Sequence, residues 1–322
     1  MTSISATPLT RYARLADRAR SAVEDNVAAV VSEHAGREAV AVQLEQLRGY
    51  PAALRRTTLS ALGDYDVFEL MLMSQVRYGT PYALWRDTPS GFAEDVLGEA
   101  LFAQQRALLD ATVTSPRVAA AMCFGSGKSH QVALLALWHR AVRAKDEGMT
   151  VVVVPHKTSC EDLHQILTML SQANKVPYDH PAVYLTVPND WRVLAGIHSP
   201  DTMIVVSDAG NLRPVQGKAV EQILSSSVRL VAVGTPNEEP GTWFEDLAQR
   251  SSTYAMRMSL LDLPSITGEA CGQCRGCHDP RPHSPALHMA DAQWAQRSIA
   301  LYGYDHPKIT ARFPFETARS ER

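Results

Sequence analysis

Residues 117–138 read RVAAAMCFGSGKSHQVALLALW. An apolar run leads into FGSGKS, and a second apolar run follows with spacings of three and four. That order predicts a buried strand, a tight glycine turn and a helix. The same order suits a phosphate site. Such a site needs backbone N–H groups turned inward, a helix N-terminus behind them, a lysine for the terminal phosphates and a hydroxyl for Mg²⁺. Gly125, Ser126, Gly127, Lys128 and Ser129 supply these groups. The glycine that opens the G-x-x-x-x-G-K-[ST] pattern is absent, and Met122 stands in its place. That first glycine mainly shapes the start of the turn, so the strand before and the helix after outweigh its loss. The alternative is a Gly-Ser turn followed by a lysine without chemical role.

Downstream, MTVVVVP, AVYLTVP, WRVLAGI, TMIVVSD, VRLVAVGTP and TYAMRMSLL are predicted as strands. SCEDLHQILTMLSQ, VQGKAVEQILSS and GTWFEDLAQ are predicted as helices between them. The helix after the loop is expected to close at Gly148. Ser159 is expected to cap the next, with acids in its first turn. Strands apolar on both faces, alternating with helices, predict an α/β fold with a mostly parallel sheet covered on both sides. Upstream, residues 10–110 read as helical. VFELMLMSQV forms one helix there, and YGTPYALWRDTPSGF a turn-rich break. From Asp262 onward Pro, Gly, His and Cys dominate, up to a short helix in DAQWAQRSIALYG. The expected divisions are a helical N-terminal region over 1–95, a loop-bearing core over 96–262 and a linker over 263–322.

A nucleotide site also needs a carboxylate at a strand end, within reach of the water shell of Mg²⁺. TMIVVSDAG offers Asp208, 80 residues after Lys128. Strands also end in Asp for reasons of turn geometry, but the α/β context makes this one a candidate. A hydrolase of this kind usually carries Glu directly after that Asp. Here the next residue is Ala209, and Glu221, Glu238 and Glu239 are candidate substitutes. VRLVAVGTP places Thr235 after Gly234, where its hydroxyl can sense a γ-phosphate; the alternative is a plain strand-end turn. Lys128, Asp208 and Thr235 form the candidate catalytic set. CGQCRGCHDPRPH presents Cys271, Cys274, Cys277, His278 and His283. Thiolates two residues apart on glycine turns can converge on Zn²⁺, and three Cys with one His would make a structural site. The alternative is free cysteines in a loop.

Six segments, in order from about Trp85 to Glu316, resemble the ATPase part of a tailed-bacteriophage terminase large subunit. LWRDTPSGFAEDVLGEALFAQQRALLDA is similar to the segment before the loop. RVAAAMCFGSGKSHQVALLALW is similar to the family's variant Walker A loop, which often lacks the first glycine. VVVVPHKTSCEDL and TMIVVSDAGNL resemble the next strand and helix and the Walker B strand, with Ala for Glu. VRLVAVGTPNEEPGTWFEDL resembles the coupling motif, and DAQWAQRSIALYGYDHPKITARFPFE the linker toward a nuclease domain.

The resemblance implies an additional-strand, RecA-like P-loop NTPase that uses ATP and Mg²⁺. Gln105 takes the adenine-contact position, and Ser129 and Asp208 hold the metal. It implies a motor that drives double-stranded DNA into a procapsid. A homo-oligomeric ring, a portal protein and a small terminase subunit are its implied partners, in the host cytoplasm and transiently on the procapsid. No nuclease pattern follows, so DNA cleavage is not expected of this chain; the nuclease is either truncated away or a separate chain. Many members carry Arg inside the loop, where this chain has Cys123 and Phe124. Arg140, Arg143, Arg229 and Arg250 are candidates to supply it from a neighbour. Two other readings stand beside this one: another additional-strand ATPase, helicase-like or defensive, and a non-hydrolysing nucleotide-binding scaffold, which Ala209 favours.

The bulk numbers agree with a globular chain. Of 322 residues 45% are hydrophobic and 20% charged, and the net charge of −3 gives no overall basic footprint for nucleic acid. No apolar run approaches the ~20 residues of a membrane span. Five cysteines, two of them isolated, do not form a disulfide framework and fit a reducing compartment.

Overall fold

The computed structural model describes residues 9–25, 37–178, 183–195, 197, 199–225, 227–236, 241–264, 289, 292–303, 305–307 and 309. Helices α1 (Arg11–Asp25), α2 (Glu38–Gly49), α3 (Ala52–Ala61), α4 (Asp64–Tyr78) and α5 (Ala103–Thr114) precede the sheet. The alternating part runs β1 (Arg117–Met122), α6 (Lys128–Ala141), β2 (Gly148–Val153), α7 (Lys157–Asn174), β3 (Val183–Thr186) and β4 (Asp201–Ser207). It continues with α8 (Pro214–Ile223), β5 (Val228–Gly234), α9 (Trp243–Gln249), β6 (Tyr254–Met258) and, further on, α10 (Ala292–Tyr302).

The six strands form one sheet in the order β3-β2-β4-β5-β1-β6, and every pairing is parallel. The period of two in a strand sends alternate side chains to opposite faces, and both faces are covered. Val118, Ala120, Val152, Met203, Val205, Val231 and Val233 join the larger core with α5, α6, α7 and the N-terminal helices. Ala119, Val151, Val153, Ile204, Val206, Leu230 and Ala232 join the smaller core with α8 and α9. This explains why the strands read as unbroken apolar runs. Helix α6 is buried on every side from Gln131 to Ala141, so it lacks a polar stripe. Its Trp138 side chain is fully buried and donates to the carbonyl of Trp85 at 2.8 Å.

Three local expectations are corrected. WRVLAGI is not a strand: Trp191–Val193 is a 3₁₀ turn, held where the Asp190 carboxylate accepts from the Arg192 N–H at 2.9 Å. That local bond competes with any ladder. Helix α6 stops at Ala141, whose carbonyl accepts the Thr80 hydroxyl, and Gly148 instead opens β2. A Cβ at Gly148 would meet Arg143 Cδ at 2.4 Å, so the glycine admits a buried arginine. Ser159 is not a cap. Helix α7 starts two residues earlier, after an extended His156, and has no acid in its first turn.

Candidate functional site

Strand order assembles the site. Strand β5 lies between β1 and β4, with Ala121 opposite Gly234 and Val233 opposite Ser207. The three strands therefore end level. The loop 123–127, Thr235 and Asp208 emerge side by side at the carboxyl edge of the sheet, where parallel α/β folds place ligands. Strand β5 thus separates the loop-bearing strand from the Asp-bearing strand.

The loop is held from below. The Cys123 N–H donates to Met258 O at 2.9 Å, which carries the β1–β6 ladder one residue further. Gly125 and Gly127 sit at φ +72° and +83°, a region that L side chains enter only at a cost. The buried Ser126 hydroxyl donates to Cys123 O at 2.7 Å. Gln105, buried in the first turn of α5, donates through Nε2 to Ser126 O at 3.4 Å. That side chain is a strut under the loop. Lys128 Nζ bends back to Cys123 O at 3.0 Å, while Ser129 is exposed beside it at the N-terminus of α6. Burial draws the Lys128 amine below the ordinary lysine value, opposed by the fields of Cys123 and Asp208. A partly dehydrated ammonium at a helix N-terminus, close to a carboxylate, is poised for an anion. The Cys123 thiol beneath it is pushed up to about 11 by burial, so it is inert as a nucleophile.

Asp208 follows β4 at φ 55°, one of two non-glycine residues with positive φ among the described residues. Asp tolerates this conformation because its short side chain bonds locally. Here its Oδ2 accepts from Asn211 Nδ2 at 2.9 Å. The turn it opens, Ala209–Asn211, lies against the end of β5. A Cβ at Gly234 would fall 2.7 Å from Gly210 N and 2.8 Å from Ala209 N. Ala209 itself is 1% exposed and sits in the apolar cluster with Phe244 and Leu247. Position 209 thus faces the core, which suits Ala and would bury a Glu. Thr235 is partly buried directly after Gly234.

The candidate substitutes fare differently. Glu221 accepts from Trp243 Nε1 at 2.8 Å and pairs with Arg250 at 2.9 Å, so it staples α8 to α9. Glu238 and Glu239 lie outside the described residues, as do Cys271, Cys274, Cys277, His278 and His283. Among the described residues no group of His, Cys, Asp and Glu could hold a metal ion. Arg143 is locked on Asp201 at 2.6 Å and is 2% exposed, which removes it as an arginine for a neighbour. Arg140, also buried, lies like Arg143 near the end of α6 remote from the loop.

Two contacts at the loop went unread in the sequence. Phe124, 55% exposed, meets the ring of Trp294 in α10, with centroids 5.5 Å apart and planes tilted by 40°. Lys128 Nζ lies 5.8 Å from the centroid of the Phe124 ring. His130 Nε2 and Glu99 Oε2 are 2.8 Å apart one turn into α6. Burial lowers the His130 pKa, but the Glu99 hydrogen bond and charge outweigh it and leave it raised. An aromatic next to the glycine loop and a His after its Ser were the signals, and neither fixes a partner from sequence.

No protein-family model and no curated protein matches the chain. Among solved structures it is similar to the large terminase ATPase domain of Thermus phage P74-26, with a TM-score of 0.48, 11% identity, 70% of this chain covered and 98% of that one. An arginine-to-alanine mutant of the same domain matches with a TM-score of 0.46 at the same identity and coverage.

Proposed function

We propose that this chain is the ATP-binding motor subunit of a viral DNA-packaging terminase. The observation that carries the nucleotide reading is the convergence of Lys128, Ser129, Asp208 and Thr235 on three neighbouring strand ends. The packaging role rests on the ordered run of six sequence segments that resemble that family. In this reading the loop N–H groups and Lys128 bind the β- and γ-phosphates of ATP. Ser129 and Asp208 would hold Mg²⁺. The donor set fits a hard cation, since it offers oxygen ligands alone. When bound, Mg²⁺ supplies charge neutralisation on the phosphate oxygens. Lys128 leaves the Cys123 carbonyl to meet the phosphate. Thr235 touches the same nucleotide end, and its close packing on the Asp208 turn through Gly234 links the two. Gln105 supports the loop. Double-stranded DNA, a ring of copies, a portal and a small subunit complete the proposed assembly. A zinc knuckle at Cys271, Cys274, Cys277 and His278 or His283 would pin the linker, and metal analysis tests it: about one Zn per chain is expected.

A second reading, nucleotide binding without turnover, is favoured by the core-facing Ala209. ATPase assays with and without duplex DNA separate the two. Turnover that rises with DNA and is lost in Lys128→Ala supports the motor. ATP binding by calorimetry without turnover in either condition supports the scaffold. Unchanged ATP affinity in Lys128→Ala would remove both.

A further inference from the structure

Helix α10 comes after the whole sheet in the chain, yet it returns to the loop before α6. One stripe of it is docked. Ala295 is buried, and Trp294, Ser298 and Ile299 are partly so, while Gln293, Gln296, Arg297 and Ala300 face out. Spacings of one and four mark a single side of a helix. Trp294 and Ile299 pack on the larger core. From the first turn of α10 the Trp294 ring also reaches Phe124, with centroids 5.5 Å apart. The loop is thus tied twice to the C-terminal part of the chain. The Cys123 N–H bonds the end of β6 at Met258 O, and Phe124 meets α10.

The contacts continue from Phe124 to the lysine. Lys128 Nζ lies 5.8 Å from the Phe124 ring centroid and donates to Cys123 O at 3.0 Å. A cation beside an aromatic face gains electrostatic energy from it. Both contacts are given up when the amine turns to a phosphate. An interaction made by the free protein and lost in the complex subtracts from affinity. Trp294 fixes the ring that helps to hold Lys128 in this retracted position.

We infer that Trp294 is a positioning residue through which α10 restrains the loop in its nucleotide-free form, so that docked α10 and bound nucleotide oppose each other. This rests on the nucleotide reading of the loop. By linkage the opposition runs both ways: the docked helix weakens nucleotide binding, and nucleotide loosens the helix. An event at the phosphates is thereby passed to an element outside the strand-end site. The test uses the full chain and the β,γ-imido analogue of ATP with Mg²⁺, followed by calorimetry. Trp294→Ala is expected to bind the analogue about 2- to 10-fold more tightly than the wild type, the scale of one aromatic pair. Trp294→Phe keeps a ring against Phe124 and is expected to stay near the wild-type value. In the wild type the amides of α10 are expected to exchange with deuterium faster once the analogue is bound, a response that passive packing does not give. Unchanged or weaker binding by Trp294→Ala, or equal or slower exchange in α10, would overturn the inference, while binding by the wild type upholds the nucleotide reading. Absence of binding in both proteins would remove the two together. Should Trp294→Ala fail to fold, exchange in the wild type decides alone.

Discussion

The two ends of helix α6 solve opposite problems. At its N-terminus Lys128 rests on a loop carbonyl, Ser129 faces out, and the glycines leave backbone donors open. Near its C-terminus a network of charges around Asp201 is matched by protein groups. Arg143 Nε donates to Asp201 at 2.7 Å, and His139, fully buried, bonds Thr150 at 2.9 Å and lies 3.4 Å from Asp201. Arg86 bridges Glu147 and Asp201. In the proposed function one end is left open for the nucleotide, while the network at the other is completed by protein. Affinity and stability therefore reside in different residues of one helix, and substitutions are expected to separate them.

The largest effect is expected at the saturated end. Arg143→Met leaves the partly buried Asp201 carboxylate without its main partner, which costs about 3–5 kcal/mol. Chemical denaturation measures this, and a loss below 1 kcal/mol would show that the network is ornamental. Next comes Ala209→Glu. It places a carboxylate among Phe244 and Leu247 and is expected to lower stability by about 2–4 kcal/mol without gaining turnover. Restored turnover at wild-type stability would instead mean that position 209 can reach the nucleotide. Lys128→Ala is expected to weaken ATP binding by about 100-fold in calorimetry while the denaturation midpoint hardly moves. A large stability loss there would erase the contrast between the ends.

Acid sharpens the same contrast. Burial and the neighbouring Arg143 charge push His139 down to about 3 from 6.5, so it stays neutral in the fold while an unfolded chain takes up a proton. Burial raises Asp201, yet the His139 bond and the Arg143 charge leave it well below the usual carboxylate range. Both groups are depressed, so both contribute stability that is present above the unfolded values and lost as pH falls. Stability is expected to decline from about pH 6.5 toward pH 3, and Thr150, as a hydrogen-bond partner of neutral His139, shares in it. A flat profile over that window would break the assignment. The smallest effect is expected at Thr242→Ala, which removes the hydroxyl that caps α9 at Glu245 N, for about 1 kcal/mol.

What the sequence made legible was local. The apolar runs of β1, β2, β4 and β5 are long, buried on both faces and flanked by turn residues, so their existence follows from composition. The glycine turn before Lys128 and the Asp after TMIVVS are read the same way. The losses came where a neighbour distant in sequence decides. Gly148 looked like a helix stop but is small because Arg143 packs over it. Gln105 is expected at the nucleotide from the resemblance alone, and the contact its Nε2 makes to Ser126 O depends on α5 lying beside the loop. Ala209 reads as a deleted catalytic acid, although its direction into the core depends on the turn that Gly234 forces. The order that sets β5 between β1 and β4 is not written in any one segment.

That order has a consequence for synthesis. Among the described residues strand β1 pairs with β5 and β6, which begin at Val228 and Tyr254, more than a hundred residues later. The nascent chain therefore emerges with β1 and the apolar stretch of residues 132–138 in α6 long before their partners exist. Contacts of such sequence separation form slowly, and exposed apolar surface is where association begins. Folding of this chain is expected to wait until about Met258 has left the ribosome, with the glycine loop before Lys128 the last feature to take shape rather than the first.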